Sequence, residues 1–420
     1  MRFKEWKEVR LDEIGTIITG KTPSTKVEEN FGKKYPFITP RDMNDMKYIK
    51  TTERYLSQRG LDSVAKQILE GDSICVSCIG SDMGKVMLNK GISVTNQQIN
   101  SITKIKKEYD VDFIYYSLKP LKEYLHKIAG GSTMPIVNKS KFSGITITVP
   151  PLKKQKSIAH ILSTLDEKIE INNQINKKLE EIAQTIFKHW FVDFEFPNED
   201  GEPYKSSGGE MVESELGMIP KGWEVRELGE IAMMKNGVNY SREQEGTEVK
   251  VVNVRDFDGS VIVNTSNLDS ILLPERQIKD YLLYEYDTVV VRSARPGETL
   301  LVTNNSQVVY SGFTIRVQTN EDILKLYVFY CIRNAMEILN NSSNGTIFKN
   351  LNQKILGALK IVVPNKDVIE VYNSIVIPIL NQISEGVEEN EKLTQLRDTL
   401  LPKLMSGEIR VPLESEDDIS

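Results

Sequence analysis

The sequence predicts an α+β protein: two mainly-β domains related by an approximate twofold and joined by two long antiparallel coiled-coil helices. Two observations carry this prediction. The 420-residue chain is written twice, and each copy passes from short strands into one long amphipathic run.

The repeat begins at the first tryptophan. WKEVRLDEIGTIITGKTPS, from Trp6, returns as WEVRELGEIAMMKNGVNYS, from Trp223, with Leu11/Leu228, Ile14/Ile231 and Gly20/Gly237 each 217 positions apart. Four further blocks follow in the same order. FITPRDM (37–43) answers VVNVRDF (251–257), GDSICVS (71–77) answers YDTVVVR (286–292), GGSTMPIVNKS (130–140) answers NGTIFKNLNQK (344–354), and GITITVPP (144–151) answers ALKIVVPN (358–365). These blocks bound a first domain at 1–150 and a second at 222–367. Within both, runs such as SICVSCI, GITITVP, DTVVVRSA and QVVYSGFTIRV read as strands, with short helices near VDFIYYSLKPLKEYLHKI and LKLYVFYCIRNAMEILN.

After Pro151 the period changes. Ile158, Leu162, Leu165, Ile169, Ile175, Leu179, Ile182 and Ile186 follow 4-3 spacing, interrupted by a polar Asn172 in the seam. A helix of about 38 residues spans on the order of 55 Å. The second copy ends alike, with Val376, Leu380, Ile383, Val387, Leu396, Leu400 and Leu404 on a comparable stripe. Pro378 is expected to kink its first turns and Gly386 to loosen its middle. Each stripe is too apolar to stand alone in water, so each is expected to bury the other. The central helix takes 151–195 and the distal helix 368–409. Residues 196–221, rich in Gly, Pro, Ser and acids, read as an exposed linker with little regular structure, and 410–420 as an acidic tail.

Composition excludes several classes. No run of the sequence reaches the apolar length of a membrane helix and MRFKEWKEVR lacks the apolar core of a secretory signal, which points to the cytoplasm. Three cysteines, Cys75, Cys78 and Cys331, do not make a disulfide framework. CVSC lacks the second pair of a zinc knuckle, and His126, His160 and His189 lie far apart. The net charge of -6 hides an uneven distribution: residues 1–150 carry +7 (24 Lys and Arg against 17 Asp and Glu), and 368–420 carry -7 (4 against 11). A basic N-terminal third can meet phosphates.

GTIITGKTPS, from Gly15, matches the phosphate-loop pattern G-x-x-x-x-G-K-T. The lead-in WKEVRLDEI is charged and broken rather than a buried strand, and the second copy has Val238 and Asn239 where Lys21 and Thr22 stand. Gly20 therefore reads as a turn glycine of a repeated fold. No nucleophile elbow, metal cluster, S-adenosylmethionine glycine loop or N-P-P-aromatic motif is present in the sequence, so no catalytic residue is assigned. Asp193 and Glu195 read as an acidic helix end.

Two heads on a helical spacer suit a target with two patches at a fixed separation, and duplex DNA repeats its groove every ~34–36 Å. Side chains that hold phosphates or read base edges belong in the loops of each copy. The candidates are Lys21, Thr22, Arg41, Asn96, Gln97, Gln98, Lys139 and Lys141 in copy one, and Asn236, Asn239, Arg255, Arg292, Arg295, Asn350 and Lys354 in copy two. Arg41-Asp42 and Arg255-Asp256, being repeated, also suit internal ion pairs. Ser81, Lys85, Arg292 and Arg295, where the copies diverge, suit specificity better. An interaction scaffold that joins proteins through its coiled helices and contacts no DNA is the reading from a different class.

Four segments carry a family resemblance: ESELGMIPKGWEV (213–225), GKTPS (20–24), HWFVDFEFP (189–197) and LLPKLMSGEI (400–409). With them, nearly the whole chain resembles the specificity subunit of type I restriction-modification systems. The resemblance implies two target-recognition domains, each reading half of a bipartite DNA sequence, and helices that dock two modification subunits. It further implies that chemistry resides in those partners, S-adenosylmethionine-dependent adenine methyltransferases, and in ATP- and Mg2+-dependent restriction/translocase subunits. This chain would hold no cofactor itself. NGVNYS departs from GKTPS, which leaves the second copy's first loop unassigned.

Overall fold

The computed structural model describes residues 5–44, 46–130, 135–241, 244–303, 307–341 and 350–411. The acidic tail from 412 onward and parts of the repeated block, 131–134 and 342–349, lie outside the described residues. Two compact units form, Met1–Glu170 with Lys392–Ser420, and Ile171–Glu391.

In the first unit, Lys7–Arg10 pairs with Thr146–Val149 and so brings the two ends of the first head together. A four-stranded antiparallel sheet runs in the order Thr16–Thr19, Ile99–Thr103, Ser73–Ser77, Val86–Asn89. Three of its strands, Ile99–Thr103, Ser73–Ser77 and Val86–Asn89, are buried throughout, which is why SICVS reads as a continuous apolar run rather than an alternation. A second sheet orders Phe31–Gly32, Arg54–Leu56, Tyr35–Ile38, Ser93–Thr95 and Ile68–Leu69, with the pair Tyr35–Ile38 and Ser93–Thr95 parallel. Helix Val111–Leu118 buries Phe113, Tyr115 and Tyr116 in the core.

The second unit repeats this plan. Glu224–Glu227 pairs with Lys360–Val363, and the four-stranded sheet orders Ala232–Asn236, Thr314–Thr319, Thr288–Val291, Thr299–Leu301. Its second sheet is smaller: Asp269–Leu273, Thr247–Val252 and Val308–Tyr310, the last two parallel. Residues read as a bare linker fold onto this unit. Met211–Ser214 and Gly217–Pro220 form a hairpin, and Phe196 stacks between Tyr204 (4.6 Å) and Trp223 (4.8 Å). Polar composition signals the surface position of this segment, but three aromatics suffice to anchor it.

Both long helices are present, Leu152–Phe191 and Lys366–Met405, of 40 residues each. They pack together. In the first unit, Asp166 accepts from Arg397 (2.7 Å) and from the hydroxyl of Tyr116 (2.5 Å). In the second, Asn172 donates to Glu389 and Asn390, Asn390 donates to Asn173, and Asn176 lies against Gly386. Partner numbers fall as the first helix advances, so the pairing is antiparallel.

The seam differs in phase from the apolar stripe. Leu162, Val376, Leu380, Ile383 and Leu404 are buried, and Leu165, Ile169, Leu179, Val387 and Leu400 are half-buried. Ile175, Ile182 and Leu396 are exposed, at 44 %, 48 % and 47 %. After Asn172 the buried face runs one residue later, through Asn176, Ala183 and Phe187. Gly386 explains the shift. A Cβ there would stand 2.6 Å from the Asn176 side-chain oxygen, so the facing helix comes too close for an isoleucine. The helix continues without interruption through Pro378, which is exposed, and through Gly386, whose missing side chain makes the contact possible.

Candidate nucleic-acid interface

At one edge of the first head, four loops converge where strands end. Gly20 leaves its strand with its amide on Ile99 O (3.1 Å), and Lys21 N donates to Thr95 O (2.9 Å). A Cβ on Gly20 would lie 2.2 Å from the carbonyl oxygens of Thr95 and Asn96, so glycine is required by close approach. No helix opens after Lys21, as a phosphate loop would need; the chain runs irregularly to the short turn Glu28–Asn30. Thr22 donates its hydroxyl to Gln97 Oε1 (2.8 Å), Asn96 N donates to Ile38 O (2.9 Å), and Cys78 N donates to Gln98 O (2.8 Å). Asn96 Nδ2 donates to Gln98 Oε1 (2.9 Å). Lys21, Arg41, Ser81 and Gln97 are exposed on these loops, Thr22, Lys85 and Gln98 are half-buried, and Asn96 is buried.

Lys139 and Lys141 sit apart on the helix Lys139–Ser143, joined to the cluster through Val137 N on Cys78 O (2.9 Å). Lys141 turns its ammonium to Ile128 O (2.8 Å). This helix is capped by Asn138, which accepts from Lys141 N (2.9 Å).

The second head builds the same cradle from other side chains. Gly237 donates to Thr314 O, and a Cβ on it would stand 2.2 Å from Ser311 O and 2.3 Å from Tyr310 O. Arg292 N donates to Phe313 O (3.0 Å) as Cys78 N does to Gln98 O, and Leu351 N donates to Arg292 O (2.8 Å) as Val137 N does to Cys78 O. These bonds align the tip Asn96-Gln97-Gln98 with Ser311-Gly312-Phe313. Asn352 caps helix Gln353–Gly357 by accepting from Ile355 N (2.9 Å), the counterpart of Asn138. Asn239, Asn350 and Lys354 are exposed, whereas Asn236 is half-buried at a strand end. The half-buried Arg292 donates to Gly312 O (2.8 Å), so it supports the tip from beneath.

The repeated Arg-Asp turns separate the roles of their two residues. Asp42 accepts from Thr39 N (2.8 Å), Thr39 Oγ1 (2.7 Å) and Glu53 N (2.7 Å), and Asp256 accepts from Asn253 N (2.7 Å). The aspartate therefore closes the short helical turns Pro40–Asp42 and Val254–Asp256. Both arginines are exposed; Arg255 pairs with Asp269 and lies 3.6 Å from Asp256.

Beside these turns an ion pair is inverted between the heads. Ser77 N bonds Lys85 O and Gly84 N bonds Ser77 O, just as Val291 N bonds Glu298 O and Gly297 N bonds Val291 O, so Asp82 corresponds to Arg295 and Lys85 to Glu298. Asp82–Lys85 closes at 2.8 Å and Arg295–Glu298 at 3.0 Å. In each head the cation also donates to the first carbonyl of the turn, Lys85 to Pro40 O (3.4 Å) and Arg295 to Val254 O (2.7 Å). The charge changes places and the clasp on the turn remains.

Burial pushes the thiols of Cys75 and Cys331 up to about 12 and that of Cys78 up to about 11, far from a reactive thiolate. Among the described residues no group of three or more His, Cys, Asp or Glu is placed to hold a metal, and no helix is long and apolar enough to cross a membrane. Glu195 accepts from both the amide and the hydroxyl of Ser206, which lowers its pKa and marks it as a loop tie.

Comparison with known proteins agrees with this geometry. Residues 3–181 and 220–396 match the family described as type I restriction modification DNA specificity domain. The chain is 30% identical to the type I restriction enzyme MjaIX specificity subunit of Methanocaldococcus jannaschii, over 97% of this chain and 94% of that one. It is 25% identical to the HindI specificity subunit of Haemophilus influenzae, over 97% and 100%. In fold it resembles the crystal structure of a type I restriction-modification S subunit from M. genitalium, with a TM-score of 0.53, 16% identity and coverage of 98% and 97%.

Proposed function

The chain belongs to the type I restriction-modification DNA specificity family as a DNA-binding, non-catalytic subunit, and we propose that each of its heads reads one half of a bipartite duplex target. The observation that carries this reading is the pairing of an invariant cradle with variable tips. Gly20 and Gly237, Asp42 and Asp256, and Asn138 and Asn352 hold the same loops, while Asn96-Gln97-Gln98 and Ser311-Gly312-Phe313 fill the same place with different chemistry. Lys21, Arg41, Lys139, Asn239, Arg255, Asn350 and Lys354 supply exposed donors at these edges for phosphates and base edges. Ser81 is exposed on the turn beside them, and Lys85, Arg292 and Arg295 position the loops.

The partners in this reading are two modification subunits that bind S-adenosylmethionine and methylate adenine, together with restriction/translocase subunits that use ATP and Mg2+. Exposed Ile171 (51 %), Ile175 and Ile182 on the proximal helix support docking of a modification subunit there, since an apolar stripe of this kind is what a partner helix or groove covers. Residues 1–150 and 222–367 are the recognition domains. Selecting duplexes from a random library with the full-length chain tests the reading: two short conserved blocks separated by unselected bases are expected, and exchanging residues 1–150 for the head of another member should rewrite one block only. Binding indifferent to sequence, with tight protein partners, would leave the scaffold reading in its place.

A further inference from the structure

Phe313 is an aromatic side chain that the fold does not use. The residue is 63 % exposed, while the tip that carries it is tied at every position. Ser311 O accepts from Thr314 N (2.9 Å) and Thr314 Oγ1 (2.8 Å), Gly312 N donates to Val238 O (2.8 Å), Gly312 O accepts from Arg292 (2.8 Å), and Phe313 O accepts from Arg292 N (3.0 Å). A phenylalanine held out on a fixed backbone loses little conformational freedom when something covers it. The corresponding position in the first head is Gln98, half-buried and bonded to Asn96, so the shared cradle does not demand an aromatic there.

The surroundings point to nucleic acid as the covering partner. Val238, which holds Gly312, leads directly into exposed Asn239 and Tyr240, the latter donating its hydroxyl to Asn253 (3.2 Å) on the Arg255 turn. The tip that carries the ring is thus tied to a segment and a turn bearing exposed amide, phenol and guanidinium groups, the mixture that apolar contacts to bases occur in. We propose that Phe313 is the specificity-determining residue of the second head and makes an apolar contact with a base, either a thymine methyl or an opened base step, whereas the first head has half-buried Gln98 in its place and presents the exposed amide of the neighbouring Gln97.

This inference rests on the two-headed reading of DNA above, and its test separates the two. Full-length chain in complex with its modification subunits selects from a random duplex library, alongside the Phe313→Ala, Phe313→Leu and Gln97→Ala variants. Phe313→Ala is expected to reduce preference about tenfold to a hundredfold at one or two base pairs of one block and to leave the other block unchanged. Gln97→Ala is expected to act on the other block. Replacing thymine by uracil in the selected block assigns the contact: equal loss in wild type, with none further in Phe313→Ala, identifies the methyl group, while indifference identifies the base step. Unchanged selection by Phe313→Ala, uniform weakening over all sequences, or loss of the modification subunits with the motif intact would each overturn the assignment. A wild-type complex that selects no motif would instead remove the reading beneath it. Phe313→Leu, with an unfolding midpoint equal to wild type, shows that any change in selection is not a loss of fold.

Discussion

The two heads agree where backbone meets backbone and differ where side chains meet solvent. Both order their four-stranded sheets alike, press a glycine against two carbonyls, close a short turn with aspartate and cap a small helix with asparagine. They differ in the second sheet, five strands against three among the described residues, in the tip residues, and in the direction of the clasping ion pair. Such a division fits a module whose geometry must stay fixed while its reading changes.

The helix pair offers the strongest contrast. In the first unit it is held by a buried ion pair, Asp166–Arg397, with side chains 7 % and 10 % exposed; in the second it is held by asparagines that bond one another and Glu389. Burial alone would lower the Arg397 pKa, but its bonds to Asp166 and Asp398 raise it instead. Arg397→Leu leaves the buried Asp166 carboxyl without its cation, and should lower the unfolding free energy by about 3–5 kcal/mol in denaturant titration. Asn172→Ala, which removes bonds to Glu389 and Asn390, should cost less, about 1–3 kcal/mol. Equal losses would dissolve the contrast.

Gly20→Ala and Gly237→Ala should each destabilise by about 1–3 kcal/mol, because the methyl group must displace backbone oxygens rather than pliable side chains. A loss in one head alone would show that the two cradles are not equivalent. Asn138→Ala and Asn352→Ala should each cost about 1 kcal/mol, the ordinary loss of a cap, again by denaturant titration. The smallest effect is the sharpest test. Lys85→Glu places two acids together and releases the Pro40 carbonyl, for a loss of about 0.2–1 kcal/mol, while Asp82→Arg combined with Lys85→Glu adopts the second head's arrangement and should restore wild-type stability.

Much of the fold was legible because its signals are backbone requirements. Gly20 and Gly237 repeat since no other residue fits, and the 4-3 stripe announces a long helix before any partner is known. What escaped the pattern follows from local closeness. Ile175, Ile182 and Leu396 satisfy the spacing yet lie outside the seam, because the contact at Gly386 selects a small polar Asn176 and shifts the phase by one. The hairpin Met211–Pro220 was hidden by a composition that also suits a linker. Among the interface residues, the glycine and arginine turns were visible as repeats. Phe313 was not, since a single apolar residue in a strand-rich run looks like core until its exposure is known. Arg292 and Arg295 stood out as differences between the copies, but a difference between copies does not by itself distinguish a reader from a support.

The inverted clasp also sets how cheaply the two heads can differ. Moving from Asp82/Lys85 to the Arg295/Glu298 arrangement one substitution at a time requires passing through a chain with like charges adjoining or with one charge alone. With side chains 36–43 % exposed, water screens that intermediate, and the barrier to crossing is a fraction of a typical domain's stability. The two heads can therefore carry opposite arrangements here without either losing its fold, and in each the cation grips the first carbonyl of the short turn, Pro40 in one and Val254 in the other.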